Sequence, residues 1–282
     1  MTSQLKTLLL LALLSGIIIA VGGAIGGSQG LVIALVIALF MNAGSYWFSD
    51  KIVLGMYKAG ELAEADAPLL HRMVEDLSAR AGIPKPRIYL VPDESPNAFA
   101  TGRNPEHAVV AVTDGIMRLL SPEELRGVLA HEIAHIAHRD ILIQSVAAVL
   151  ASVITFLAHM AQFAAIFGGR GSDERGGGNP IAMLLMAILA PLAAALIQFA
   201  ISRSREYLAD QGGAEYSGRP QDLASALGKL QSYSQRVPMR EQSEATAHMF
   251  IVNPLSGKSL AGLFSTHPPI GERIKRLMAM RK

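Results

Sequence analysis

Apolar positions fall along this chain in two patterns, unbroken runs and periodic stretches, and the two alternate. Leu8 to Ala24 and Leu31 to Phe48 are unbroken runs, joined by Gly22, Gly23, Gly26, Gly27 and Gly30. Each can cross a hydrocarbon core of about 30 Å. Together they read as a retained transmembrane hairpin over residues 1–48, with a cleaved signal peptide as the alternative for the first run. From Ser49 to Asp140 the pattern turns periodic and polar. Leu69, Leu70, Met73, Val74 and Leu77 recur at helical spacing across Ala67–Ala81, and Gly82 and Pro84 end that helix. Arg87–Val91 and His107–Thr113 read as strands bounded by Pro, Asn and Gly, with Asn97–Gly102 between them.

The apolar runs then return. Ile141 to Phe167 is a third, carrying Gln144, His159 and Gln162; polar groups in a span either mark a functional path or face the bundle and its far interface. Gly168 to Asn179 is a Gly-rich loop, and Ile181 to Ile201 a fourth run with Pro191 as a tolerated kink. Residues 141–201 thus form a second hairpin, and residues 202–282 a second polar part. That part holds a helix after Pro220, a Pro-interrupted polar loop over Gln231–Ser259, and a basic helix around Ile274, Leu277 and Met278.

Composition agrees with a membrane protein. Of 282 residues, 51% are hydrophobic and 17% charged, with a mean hydropathy of +0.34, too apolar for an ordinary soluble domain of this length. The net charge of +2 is spread along the chain, so no basic run points to nucleic acid. There is no Cys, which excludes disulfides and thiolate metal ligands.

The chemistry centres on His131-Glu-Ile-Ala-His135. Ser121, Pro122 and Glu124 supply a capping box and a first-turn Pro for a helix running on through Arg139. Two imidazoles four residues apart lie on one helix face, about 6 Å along the axis, and can grip one Zn²⁺. Glu132 is then placed as general base for a water activated by that ion. His138 stands about 10 Å along the axis from His131, too far to share the metal. If the second hairpin returns the chain to the same membrane face, Ser202–Asp210 brings Glu206 in as third ligand. Two histidines and a carboxylate leave a position open for water, and Asp210, one turn on, can orient a ligand imidazole.

Charges flanking the runs set the orientation. Lys6, Lys51, Lys58, Arg139, Arg203 and Arg205 lie on the side of the zinc helix, against Arg170 and Arg175 offset by Asp173 and Glu174 on the other. The positive-inside rule places the polar parts in the cytoplasm.

His131–His135, Glu206-Tyr-Leu-Ala-Asp210, Asn97-Ala-Phe-Ala-Thr-Gly102 and Ser265-Thr-His-Pro-Pro269, in this order around paired spans, resemble the HtpX proteases. These are bacterial and archaeal membrane zinc metalloproteases related to the CAAX prenyl endopeptidases. The resemblance covers nearly the whole chain. It implies an α+β membrane protein of four transmembrane helices in two hairpins, with a gluzincin-like catalytic domain built on a small sheet and an active-site helix. It also implies an inner-membrane location and quality control of misfolded membrane proteins as substrates. Zn²⁺ would be held by His131, His135 and Glu206, with Glu132 as acid and base. His267 and Asn97 would sit near the cleft, His267 as the candidate oxyanion donor. Substrate is expected to lie along an exposed strand edge, for which His107–Thr113 is the candidate. Two alternatives stand beside this reading: a CAAX-type peptidase of prenylated C-termini, and a non-catalytic scaffold or chaperone using zinc for folding.

Overall fold

The computed structural model describes residues 3–167, 203–234, 246–251 and 268–280. The expected Gly-rich loop and fourth span lie outside the described residues, as does His267. So do the side chains of His159 and Gln162.

The first helical element, α1 (Ser3–Met56), is broken at Gly27, where φ is 56° and ψ −139°. Only a residue without Cβ takes that conformation readily. The break folds the element back on itself: Asn42 Nδ2 donates to Ser15 Oγ at 2.7 Å, although a straight helix would hold the two residues about 40 Å apart. The first two apolar runs therefore form a hairpin. Its second arm, Gly27–Met56, spans 30 residues and is long and apolar enough to cross a membrane. Val32, Ile33, Leu39 and Phe40 on it are exposed.

The polar part folds around a four-stranded sheet of order β1-β2-β4-β3. The strands are β1 (Gly60–Glu61), β2 (Arg87–Val91), β3 (Ala98–Thr101) and β4 (Val109–Thr113). β2 and β4 run parallel, while β3 pairs antiparallel with β4. Two expectations change here. Pro105–His107 forms a 3₁₀ turn, so the strand begins at Val109. More consequentially, β4 is an inner strand paired on both sides, and it cannot be the exposed edge. That edge belongs to β3, inside the Asn97–Gly102 motif.

Helices cover both faces of the sheet. Val110 and Val112 point to one face, packing with α2 (Pro68–Ala81), α4 (Pro122–Ala137) and α7 (Pro220–Ser234). Val109, Ala111 and Phe99 point to the other, against the end of α1 and the start of α5 (Ile141–Phe167). A strand buried on both faces shows no apolar–polar alternation. The short α3 (Asp114–Leu119) leads to α4, while α6 (Arg203–Ser217) and α8 (Ile270–Ala279) complete the description. α4 ends at Ala137, two residues before the expected Arg139, and α5 departs at 90° to it. Arg139, at φ 59°, makes that corner. α7 reaches Ser234, so it takes in the first four residues of the segment expected as loop.

Candidate metal centre

α4 begins with the predicted capping box, in which Ser121 and Glu124 each accept from the other's backbone N–H. Pro122 occupies the first turn. Twelve consecutive residues from Leu125 to Ile136 leave only Arg126 less than fully buried, so the helix is a central pillar rather than an amphipathic surface element. Its His131 and His135 rings meet edge to face, 4.7 Å between centroids.

α6 crosses α4 at close range because both carry small residues at the contact. A Cβ on Gly213 would stand 3.0 Å from the His131 backbone N, and one on Gly212 would stand 2.9 Å from Ala134 Cβ. This approach carries Glu206 and Asp210 to the two histidines. Ligand atoms of His131, His135 and Glu206 all lie within 4.8 Å of one another, and all three residues are buried. His135 Nε2 is 3.4 Å from Glu206 Oε1, and His131 Nε2 is 3.8 Å from Glu206 Oε2. Donors bound to zinc at about 2.0–2.1 Å in a tetrahedron stand roughly 3.3–3.4 Å apart, so small movements complete the geometry.

A carboxylate backs each imidazole. Asp210 Oδ1 is 3.0 Å from His131 Nδ1, and Asp140 Oδ2 is 3.6 Å from His135 Nδ1. Both carboxylates face Nδ1 and leave Nε2 toward Glu206; Asp210 does so at hydrogen-bond distance, the arrangement in which an N–H fixes the tautomer of a metal-binding ring, and Asp140 from just beyond it. Asp140 sits at the corner between α4 and α5, with Arg205 Nε 3.6 Å from its Oδ1.

Arg273, from α8, is wholly buried. Its Nε and Nη2 donate to the two Asp210 oxygens at 2.9 and 2.7 Å, and Nη1 lies 3.6 Å from Glu206. The pocket thus holds Glu132, Glu206 and Asp210 with one guanidinium. A divalent cation would bring these charges to neutrality, as a buried group of this kind requires.

These surroundings shift the titrating groups. Burial, reinforced by the Arg273 charge, lowers His131 to about 4, so its ring stays neutral. Burial also raises the Glu132 carboxyl to about 7. At His135 burial acts downward but is outweighed by Asp140 and Glu206, which raise it to about 10. In the metal-free pocket a proton therefore sits on His135, and metal binding must release it.

The Ala100 backbone of strand β3 acts on the Glu132 carboxyl in the direction opposite to burial. Asn97 joins the end of β4 through its backbone, its N–H donating to Thr113 Oγ1 and its carbonyl accepting from the Thr113 N–H, while its side-chain Oδ1 accepts from the Ala98 N–H. It does not line the cavity over the cluster. His138 caps α4 and is exposed.

The cavity is lined by His131, Glu132, His135, Gln144 and Glu206 together with His248 to Ile251. The last four come from the segment read as polar loop, where Met249, Phe250 and Ile251 are all buried. Arg273, Asp140 and this segment went unseen in the sequence. The signal available was an apolar Met-Phe-Ile-Val run inside a polar stretch, and a lone Arg on the apolar side of the last helix.

Comparison with known proteins places the chain among related sequences. A profile of peptidase family M48 matches residues 64–281. The chain is similar to a protease HtpX homolog of Syntrophobacter fumaroxidans, 61% identical over 99% of this chain and 100% of that one. It is also similar to one of Syntrophotalea carbinolica, 54% identical over 99% of each. Among solved structures, S. mikatae Ste24p shares the fold at a TM-score of 0.52 and 21% identity, covering 97% of this chain and 65% of that chain.

Proposed function

The chain belongs to peptidase family M48, and from that premise we propose a zinc endopeptidase that hydrolyses unfolded segments of membrane proteins from the cytoplasmic side of a bacterial inner membrane. It is a membrane metallopeptidase. The observation that carries the finer reading is the spacing of the His131, His135 and Glu206 donors, within 4.8 Å and close to the edges of a zinc tetrahedron.

Zinc, when bound, supplies a Lewis acid that acidifies water and polarises a scissile carbonyl. The chain's own residues do the rest. Asp210 and Asp140 hold the imidazoles with Nε2 inward. Glu132, raised to about 7 by burial, is matched to taking a proton from water and returning it to the leaving amine.

Register supports β3 as the track for substrate. Thr113 N–H bonds to the Asn97 carbonyl, so Asn97, Phe99 and Thr101 turn their backbone groups toward β4. Ala98 and Ala100 turn theirs outward; the Ala98 N–H meets Asn97 Oδ1, and an extended polypeptide can pair with the outward carbonyls by strand addition, reading backbone rather than sequence.

The two polar parts, 49–140 and 202–282, form one catalytic unit interrupted by the hairpin 141–201, with residues 1–48 as the first hairpin. The cytoplasmic placement rests on the Lys and Arg bias around the apolar runs. A single cysteine at Arg170 in this Cys-free chain tests it: labelling from the periplasmic side is expected, and labelling only after lysis would reverse the orientation.

Cleavage of unfolded casein by detergent-purified protein tests the activity. Wild type stripped with chelator should lose cleavage and regain it with Zn²⁺, while Glu132→Gln should bind zinc and cleave nothing. Retained cleavage in Glu132→Gln would remove the assigned base.

A further inference from the structure

The outward edge of β3 is already engaged by the chain itself. Ile251 N–H donates to the Ala98 carbonyl at 3.1 Å. The Ile251 carbonyl in turn accepts from Arg273 Nη1 at 3.2 Å. Phe250 is extended, at φ −82° and ψ 145°. Its ring packs 5.1 Å from those of both Phe99 and Tyr57. The start of the segment is held by a hydrogen bond between Thr246 Oγ1 and the Tyr57 hydroxyl, and its middle by His248 Nε2 on the Gln144 carbonyl at 3.2 Å.

This segment closes the centre. The space over the cluster leaves no room even for a water molecule, and four of its nine lining residues are His248 to Ile251. Pockets that bury even small ligands run to roughly 300–1,000 Å³, so a polypeptide cannot enter without one wall moving. Among the described residues, three walls are the long helices α4, α5 and α6, and the other is a single 3₁₀ turn and an extended residue, joined to the edge strand by the Ile251 N–H.

We propose that Met249–Ile251 is an internal occupant of the substrate groove, lying where an extended apolar segment of the substrate lies, and that substrate must displace it. The inference rests on the endopeptidase reading above. Three features make the occupant a substrate surrogate: a backbone N–H on the strand edge, a backbone carbonyl held by a buried guanidinium, and a side chain in a pocket of its own. The pocket specifies the substrate class. Phe99 and Tyr57 wall it, so the residue replacing Phe250 is aromatic or large and aliphatic, and a charged one is excluded by burial without a partner. Unfolded membrane segments and exposed core strands carry such residues; folded proteins conceal them. The resting protein is thereby restrained, and cleavage goes to chains apolar enough to outcompete its own segment.

Two measurements on the full-length, zinc-loaded protein test this. The first adds the hexapeptide Thr-Ala-His-Met-Phe-Ile, copied from residues 246–251, to wild type cleaving unfolded casein. It should raise the apparent KM and leave kcat unchanged, and a version with Ala for Phe should need at least tenfold more peptide. An inert peptide would overturn the proposal. The second follows zinc removal by 1,10-phenanthroline in Phe250→Ala and in the milder Phe250→Leu. Removal should quicken at least threefold in Phe250→Ala and less in Phe250→Leu, alongside a lower KM for casein. Unchanged removal and unchanged KM in both would make the segment a permanent wall and sink the inference. Phe250→Leu and the peptide carry the test if Phe250→Ala melts without cooperativity. Faster zinc removal with no casein cleavage by any form, wild type included, would keep the cover and overturn its role as a surrogate, because the endopeptidase reading would have failed.

Discussion

Replacing Asp140 by Asn removes the negative charge that faces Nδ1 of His135 across 3.6 Å, while nearly preserving shape. A neutral, metal-binding imidazole must place its one proton on Nδ1, and the carboxylate there selects that tautomer and raises the basicity of Nε2. Losing such a partner weakens metal binding about 10–100-fold, which is roughly 1.4–2.7 kcal/mol. Geometry ranks the two carboxylates. Asp210 stands 3.0 Å from His131 Nδ1 and is itself clamped by Arg273, so Asp210→Asn belongs near the upper end. The longer Asp140 contact belongs near the lower, about tenfold. The assay is competition for Zn²⁺ against a chromophoric chelator, with thermal melting of the metal-free form as the control for folding. A Zn²⁺ affinity within twofold of wild type in Asp140→Asn would refute the reasoning, as would an affinity loss larger than that of Asp210→Asn.

Three further outcomes follow from the same geometry. Arg273→Met leaves Asp210, Glu206 and Glu132 buried without their guanidinium; breaking a buried pair costs about 3–5 kcal/mol, and denaturant titration should show it, with Zn²⁺ recovering part. Gly213→Ala drives a methyl to 3.0 Å from the His131 backbone and should destabilise by about 1–3 kcal/mol while weakening zinc binding, whereas an unchanged melting temperature would mean that α6 can back away. At Glu124 burial acts upward on the carboxyl but is outweighed by Lys229 and the Ser121 and Ser225 donors, so its pKa is lowered in the folded state. A lowered folded pKa adds stability above the unfolded value and loses it as pH falls through the folded one, so Glu124→Gln should cost about 1 kcal/mol at pH 7 and nothing in acid, and an equal cost at both pH values would refute the charge as its source.

The elements legible in the sequence were those written in local code. The capping box at Ser121–Glu124, the αL stop at Gly82 and the apolar hairpin with its glycines each depend on residues within one or two turns, and each formed where its signal stood. The compact His131–His135 pair was legible for the same reason. Strand order was not. β4 carries Val and Ala throughout, and nothing in its sequence says whether neighbours flank it on one side or two. β3 is four residues long, shorter than periodicity can resolve, so the sequence does not show that it forms the edge. Arg273 was hidden because an Arg in a basic helix normally faces water; only the buried Asp210, 63 residues earlier, turns it inward.

The corner between α4 and α5 ties these pieces into one device. Asp140, the last residue before the apolar helix, faces His135. Four and five residues on, the first turns of α5 reach two other walls of the site. Gln144 gives its carbonyl to His248 of the covering segment, while Ser145 Oγ meets Thr101 Oγ1 at 2.8 Å and takes the Gly102 N–H at 3.3 Å, at the end of the edge strand. Within six residues the start of α5 therefore touches a proposed metal ligand, the proposed track for substrate and the segment lying on that track. α5 is held in turn by Leu10 and Leu14 of the first hairpin, packed against Ile143, Val146 and Leu150. A tilt of α5 against that hairpin would move all three walls together, because a packed core shifts as a body rather than yielding residue by residue. The 90° corner at Arg139 is then more than a change of direction: it sets where Asp140, Gln144 and Ser145 meet those three walls.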